Sequence, residues 1–166
     1  MHFITSMKSA VNNQNLGMKL LLVDDQQDIT ETLKEWIEPA GHECFAYQNP
    51  RKAFLHFKRE PFDAVICDLR MPEVDGLQLL TAIQEFKPGT PVVILTGYAD
   101  VESAISAVNQ GAFAFLQKPI KLRELLDTLA RIGRLKRLGR NKGNPAGRPF
   151  NGTKRMSSEF KIGISG

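Results

Sequence analysis

The sequence predicts an α/β protein: a doubly wound, five-stranded parallel sheet with helices on both faces. Three observations predict it. From residue 18 onward, five short apolar runs alternate with segments of helical period. Four of the five runs are almost continuously apolar, as strands covered on both faces must be. Turn and cap residues punctuate nearly every boundary, and repeated β–α units of this kind imply parallel strands with right-handed crossovers.

The elements follow in order. "KLLLV" (19–23) is the first strand. Ile29, Leu33, Trp36 and Ile37 then fall at helical spacing, and Pro39 and Gly41 close that helix. "ECFAY" (43–47) is the second strand and the least continuously apolar. Pro50 is placed to open the second helix, with a less regular stripe through Ala53, Phe54 and Phe57. "AVIC" (64–67) is the third strand; Asp75-Gly76 reads as a turn and helix start before Leu77, Leu80 and Ile83. "KPGTP" (87–91) ends that helix and "VVIL" (92–95) is the fourth strand. Asp100 is placed to cap a fourth helix carrying Val101, Ala104, Ile105 and Val108, which "NQGA" (109–112) ends. "FAFL" (113–116) is the fifth strand. A last helix from near Lys121 carries Leu122, Leu125, Leu126 and Leu129 and continues through Ile132, Leu135 and Leu138. Residues 18–138 thus form one domain. Residues 1–17 read as a disordered extension, and 139–166 as a disordered Gly-, Asn- and Arg-rich tail.

Bulk properties narrow the function. With 42% apolar and 24% charged residues, the 166-residue chain has an ordinary soluble composition. It holds no apolar stretch of membrane-spanning length and no secretion-signal pattern, which points to the cytoplasm. Cys44 and Cys67 lie in strand runs without metal-site spacing and read as buried reduced thiols. His2, His42 and His56 are scattered, and none is assigned a role. The net charge of +4 hides an asymmetry. Residues 131–166 hold ten Lys/Arg and one acid, whereas residues 1–130 hold twelve and seventeen.

In open α/β sheets, sites form where strands end. Here the first strand runs into Asp24-Asp25 and the third into Asp68; Thr96-Gly97 follows the fourth, and Lys118-Pro119 follows the fifth. A carboxylate closing an apolar strand must be exposed, paired or coordinated to an ion. Three carboxylates in one crevice repel one another, and a divalent cation relieves that repulsion; an oxygen-rich, partly open site suits Mg²⁺. With Mg²⁺ and Lys118 counted, the formal charge of the three carboxylates is cancelled. Phosphoryl transfer needs mainly in-line positioning and charge neutralisation, which such a set supplies.

The segments "LLLVDDQ", "VICDLRMPEVDG", "VVILTGYAD" and "GAFAFLQKPI" together resemble a response-regulator receiver domain over residues 18 to about 130, nearest in motif to NtrC-like receivers. The resemblance implies a CheY-like, flavodoxin-like fold with strand order 2-1-3-4-5. It implies that Asp68 accepts a phosphoryl group from a sensor histidine kinase or phosphotransfer protein. It implies Mg²⁺ held by Asp24, Asp25, Asp68 and the backbone carbonyl of Arg70, with Thr96 and Lys118 contacting the phosphoryl group. Thr96 and Phe115 match the switch pair, Lys118-Pro119 a cis peptide, and Gly97, Arg70 and Tyr98 positions that tune dephosphorylation. Bulky Arg70 and Tyr98 lead us to expect a moderately long-lived phosphate. No enzymatic activity beyond self-phosphorylation and autodephosphorylation is expected. Output is expected through the face of residues 100–130, where Ala104, Ile105, Val108 and Leu122 lie, toward a downstream protein or a second copy.

Two rival expectations remain. One is a receiver-like binding module that is never phosphorylated. The other is a nucleic-acid-binding protein acting through the basic tail, although no recognition motif supports sequence-specific binding.

Overall fold

The computed structural model describes residues 17–97 and 101–141. Residues 1–16 of the expected extension, Tyr98, the expected cap Asp100 and the tail from 142 lie outside the described residues. The elements run β1 (Lys19–Val23), α1 (Gln27–Ile37), β2 (Glu43–Tyr47), α2 (Pro50–Arg59), β3 (Ala64–Asp68), α3 (Gly76–Phe86), β4 (Val92–Thr96), α4 (Val101–Asn109), β5 (Ala114–Gln117) and α5 (Leu122–Asn141). The strands form one parallel sheet in the order β2-β1-β3-β4-β5, as the resemblance implied.

Alternate residues along each strand feed two separate cores, which is why the strands read as continuous apolar runs. Leu21, Val23, Val65, Cys67, Val92 and Ile94 pack under α2 and α3, meeting Phe54, Phe57, Leu79, Leu80 and Ile83. Leu20, Leu22, Ile66, Val93 and Leu95 face the other way, against Leu33 and Ile37 of α1 and Leu125, Leu129 and Ile132 of α5. Each fully buried Leu or Ile contributes about 1.5–3 kcal/mol. A sheet seated on two such layers is rigid enough to carry strained groups at its ends.

The helix boundaries have local causes. Pro39 lies in a single 3-10 turn, Glu38–Ala40, and Gly41 follows at φ 97, where a side chain is disfavoured. Asn49 caps α2, its side chain accepting from the Arg51 and Lys52 amides. Asp75 and Gln78 form a reciprocal capping box at the start of α3. Beyond α4, Gly111 at φ 87 lets its amide bond Val108 and the Ala112 amide bond Ala107, a Schellman close.

Four elements differ from expectation. β3 and β4 each extend one residue, taking in Asp68 and Thr96. β5 is displaced by one residue. The Phe113 amide bonds the Val92 carbonyl, but its ring packs with the α5 core beneath Arg131, whose guanidinium lies 5.2 Å from the ring centre. α5 continues to Asn141, three residues past the expected end, carried on through Gly139 and Asn141 by the Leu- and Arg-rich turns before them.

Candidate functional site

Strand register brings the chemistry together. Val23 pairs with Cys67, so Asp24 and Asp68 leave neighbouring strands one step later at the same edge. Thr96 pairs with Gln117, which places Lys118 immediately past the same edge of β5. The Lys118 amide donates to the Thr96 carbonyl at 2.7 Å, and the Lys118-Pro119 peptide is cis, as expected.

Asp24 is 1% and Asp68 5% exposed, whereas Asp25 faces solvent. One carboxylate oxygen from each of the three lies within 4.8 Å of the others. Lys118 Nζ reaches between the buried pair, 2.9 Å from Asp24 Oδ2 and 3.1 Å from Asp68 Oδ1. Burial, then the charge of Asp24, pushes the Asp68 carboxyl above the usual range, and Lys118 works against that rise. Burial alone would lower the Lys118 pKa, but the contacts with Asp24 and Asp68 prevail and raise it. The ammonium is therefore held charged between two acids. Burial and the neighbouring carboxylates likewise push the Cys67 thiol well up, which leaves it an inert support for Asp68.

An all-oxygen donor set bearing more negative than positive charge, open to solvent at Asp25, fits a hard divalent cation such as Mg²⁺. Thr96 is half-buried at the end of β4, and Arg70 is exposed two residues past Asp68. A Cβ at Gly97 would meet nothing within 4 Å, so packing does not demand glycine there. Phe115 is half-buried against the core under α2 and α3. Tyr98 lies outside the described residues.

One residue of the site was legible only as a turn. A Cβ on Gly76 would lie 2.4 Å from the Asp68 carbonyl oxygen and 2.9 Å from the Leu69 Cα. The Gly76 amide donates to the Leu69 carbonyl at 2.8 Å. The first turn of α3 is thus seated directly on the backbone that carries Asp68. The sequence signal was the Asp75-Gly76 pair seven and eight residues past Asp68, which turn chemistry alone already explains.

The comparisons with known proteins agree with this geometry. Residues 20–130 match the response regulator receiver domain family. The response regulator protein FleR of Pseudomonas aeruginosa is 40% identical over 116 residues, covering 70% of this chain and 24% of that protein. The DNA-binding transcriptional regulator NtrC of Proteus hauseri is 36% identical over 110 residues, covering 66% of this chain and 23% of its own length. The chain therefore spans about a quarter of the curated relatives it matches. Among solved structures, a response regulator receiver domain protein from Clostridium thermocellum superposes with a TM-score of 0.70 at 31% identity, covering 73% of this chain and 98% of that one. CheY4 of Vibrio cholerae gives 0.66 at 29% identity, over 70% and 98%. Strand order, the acidic crevice with its lysine and these likenesses converge: the chain belongs to the response regulator receiver domain family.

Proposed function

We propose that this receiver accepts a phosphoryl group on Asp68 from a phosphohistidine of a sensor kinase or phosphotransfer protein and passes the signal on by a change of shape. The observation that carries the reading is the Asp68 carboxylate, buried at a strand end, 3.1 Å from Lys118 and within 4.8 Å of two further carboxylates. A merely structural acid would not be placed where its own kind repels it.

Asp24, Asp25, Asp68 and the Arg70 carbonyl would hold Mg²⁺. When bound, it supplies positive charge beside the phosphoryl oxygens. The ionised Asp68 oxygen attacks phosphorus; an O–P bond forms, the donor's P–N bond breaks, and its electron pair returns to the imidazole. Lys118, already charged, donates to the phosphoryl group, and the Thr96 hydroxyl does so from β4. Phosphorylation then shifts an existing equilibrium of Thr96, Phe115 and the α4–β5–α5 face. Ile105, Val108 and Leu122 are 56%, 62% and 40% exposed there, and a downstream protein or second copy would cover them.

The protein performs no other catalysis in this reading and works in the cytoplasm. Among the described residues no helix is long and apolar enough to cross a membrane. The test is incubation with Mg²⁺ and a small acyl-phosphate donor. The expected product is an acid-stable, alkali-labile phosphate that Asp68→Asn lacks and that outlives a second. Absence of Asp68-dependent labelling from both small donors and a cognate kinase overturns the reading.

A further inference from the structure

We infer that Arg51 and Glu73 form a latch that positions the β3–α3 loop for cation binding, an inference that rests on the metal reading above.

Each partner is a locally unfavourable choice. Arg51 sits in the first turn of α2, a turn without an acidic residue, where the helix field disfavours a cation. Glu73 takes φ 69, the only non-glycine residue with positive φ among the described residues, in a tight turn closed by the Val74 amide on the Pro72 carbonyl at 2.8 Å. Such choices persist where the surroundings hold them, and they gather at functional sites.

These two residues face each other across a gap. Arg51 Nε lies 3.9 Å from Glu73 Oε2, beyond hydrogen-bond range. That nitrogen is buried and has no hydrogen-bond partner among the described residues. Movement of about 1 Å at the loop tip would complete the bond. The same loop begins at Asp68 and ends at Gly76, pinned inward by Met71 and Val74, with Arg70 exposed just before Met71. Where its tip sits sets where the Arg70 carbonyl sits. A cation that draws the loop into its ligating shape therefore closes the latch, and a closed latch favours that cation by the same free energy. With side chains 35% and 67% exposed, the pair adds little to global stability. Its effect belongs in metal affinity.

The test is calorimetric titration of the full chain with Mg²⁺ alone. By charge, removing a cation beside an acidic seat should tighten Mg²⁺ binding. The latch predicts the opposite: Arg51→Met weakens binding about three- to tenfold, below the cost of losing a partner bonded directly to a ligand. Glu73→Gln weakens it similarly, the double variant no more than either single, and Arg51→Lys restores part of the loss. Mg²⁺ should also slow amide exchange at Glu73 and Val74 in the wild type but not in Arg51→Met. Unchanged or tighter Mg²⁺ binding by Arg51→Met, or additive losses in the double variant, overturns the latch while leaving the metal reading standing. Wild-type binding that Asp25→Asn does not reduce overturns the metal reading and the latch with it.

Discussion

The two ends of the sheet bury polar groups in opposite ways. At the amino-terminal end each has a complementary partner. His42 Nδ1 accepts from the Met18 amide at 3.1 Å; Asp63 accepts from the Lys19 amide at 2.8 Å and pairs with Lys136. At the carboxyl end, Asp24 and Asp68 share one lysine and face a third carboxylate. One end is arranged to be stable in itself. The other is held under electrostatic tension by the rigid sheet between them, and that tension is what a cation would relieve.

The contrast can be broken most directly at Gly76. Gly76→Ala should cost about 3 kcal/mol or more in chemical denaturation, because its Cβ would meet backbone rather than a movable side chain. A cost below 1 kcal/mol would mean that the α3 seat on Asp68 yields easily.

Lys118→Met should come next. It leaves Asp24 and Asp68 facing each other unneutralised and should destabilise by about 2 kcal/mol, discounted from the full buried-pair figure because Lys118 keeps some solvent contact. Urea unfolding at neutral pH measures it, and the deficit should shrink in acid as the raised Asp68 carboxyl protonates.

Substitution of single acids should then give opposite signs at the two ends. Asp68→Asn removes a repelling charge and should stabilise the fold by about 1 kcal/mol while abolishing phosphoryl acceptance. Asp63→Asn loses an ion pair and should destabilise by a similar amount. Equal signs in thermal unfolding would dissolve the distinction between the ends.

The smallest effect is the pH dependence, again of opposite sign. Burial lowers the His42 pKa below 6.5, although Asp63 opposes this, and the neutral ring is the form that accepts from Met18. The unfolded chain binds that proton more readily, so this contribution is intact above 6.5 and is lost as pH falls toward the lowered folded value. The Asp68 pKa is raised above 3.8, so the folded state binds that proton more readily. Its destabilisation is complete above the raised value and is relieved as pH falls toward 3.8. Stability-versus-pH curves for His42→Gln and Asp68→Asn should each lose one of these slopes.

Most of this architecture could be read in advance because it rests on local rules. Continuous apolar runs mark strands buried on both faces, and 3.6-residue stripes mark the helices that cover them. Pro50, Gly41 and Gly111 punctuate where backbone geometry requires. The exceptions are instructive. "FAFL" slipped by one residue because its apolar residues do not reveal that the Phe113 ring would pack with α5 and Arg131 while only its amide bonds β4. Asn49 escaped notice as the cap of α2 because Pro50 beside it already explained the helix start.

The site divides in the same way. The residue types at the strand ends, Asp24-Asp25, Asp68, Thr96 and Lys118, were legible in the sequence, since each lies at or within two residues of the end of an apolar run. Folding alone decided which of them meet. Parallel register set Asp24 beside Asp68, β5 delivered Lys118 to both, and the close seat of α3 made Gly76 part of the support of Asp68. The same packing turned Arg51 and Glu73, two unremarkable charges 22 positions apart, into an unfinished pair. Periodicity reports which face of an element is buried; it carries no distances between side chains far apart in the chain, and those distances are where the chemistry lies.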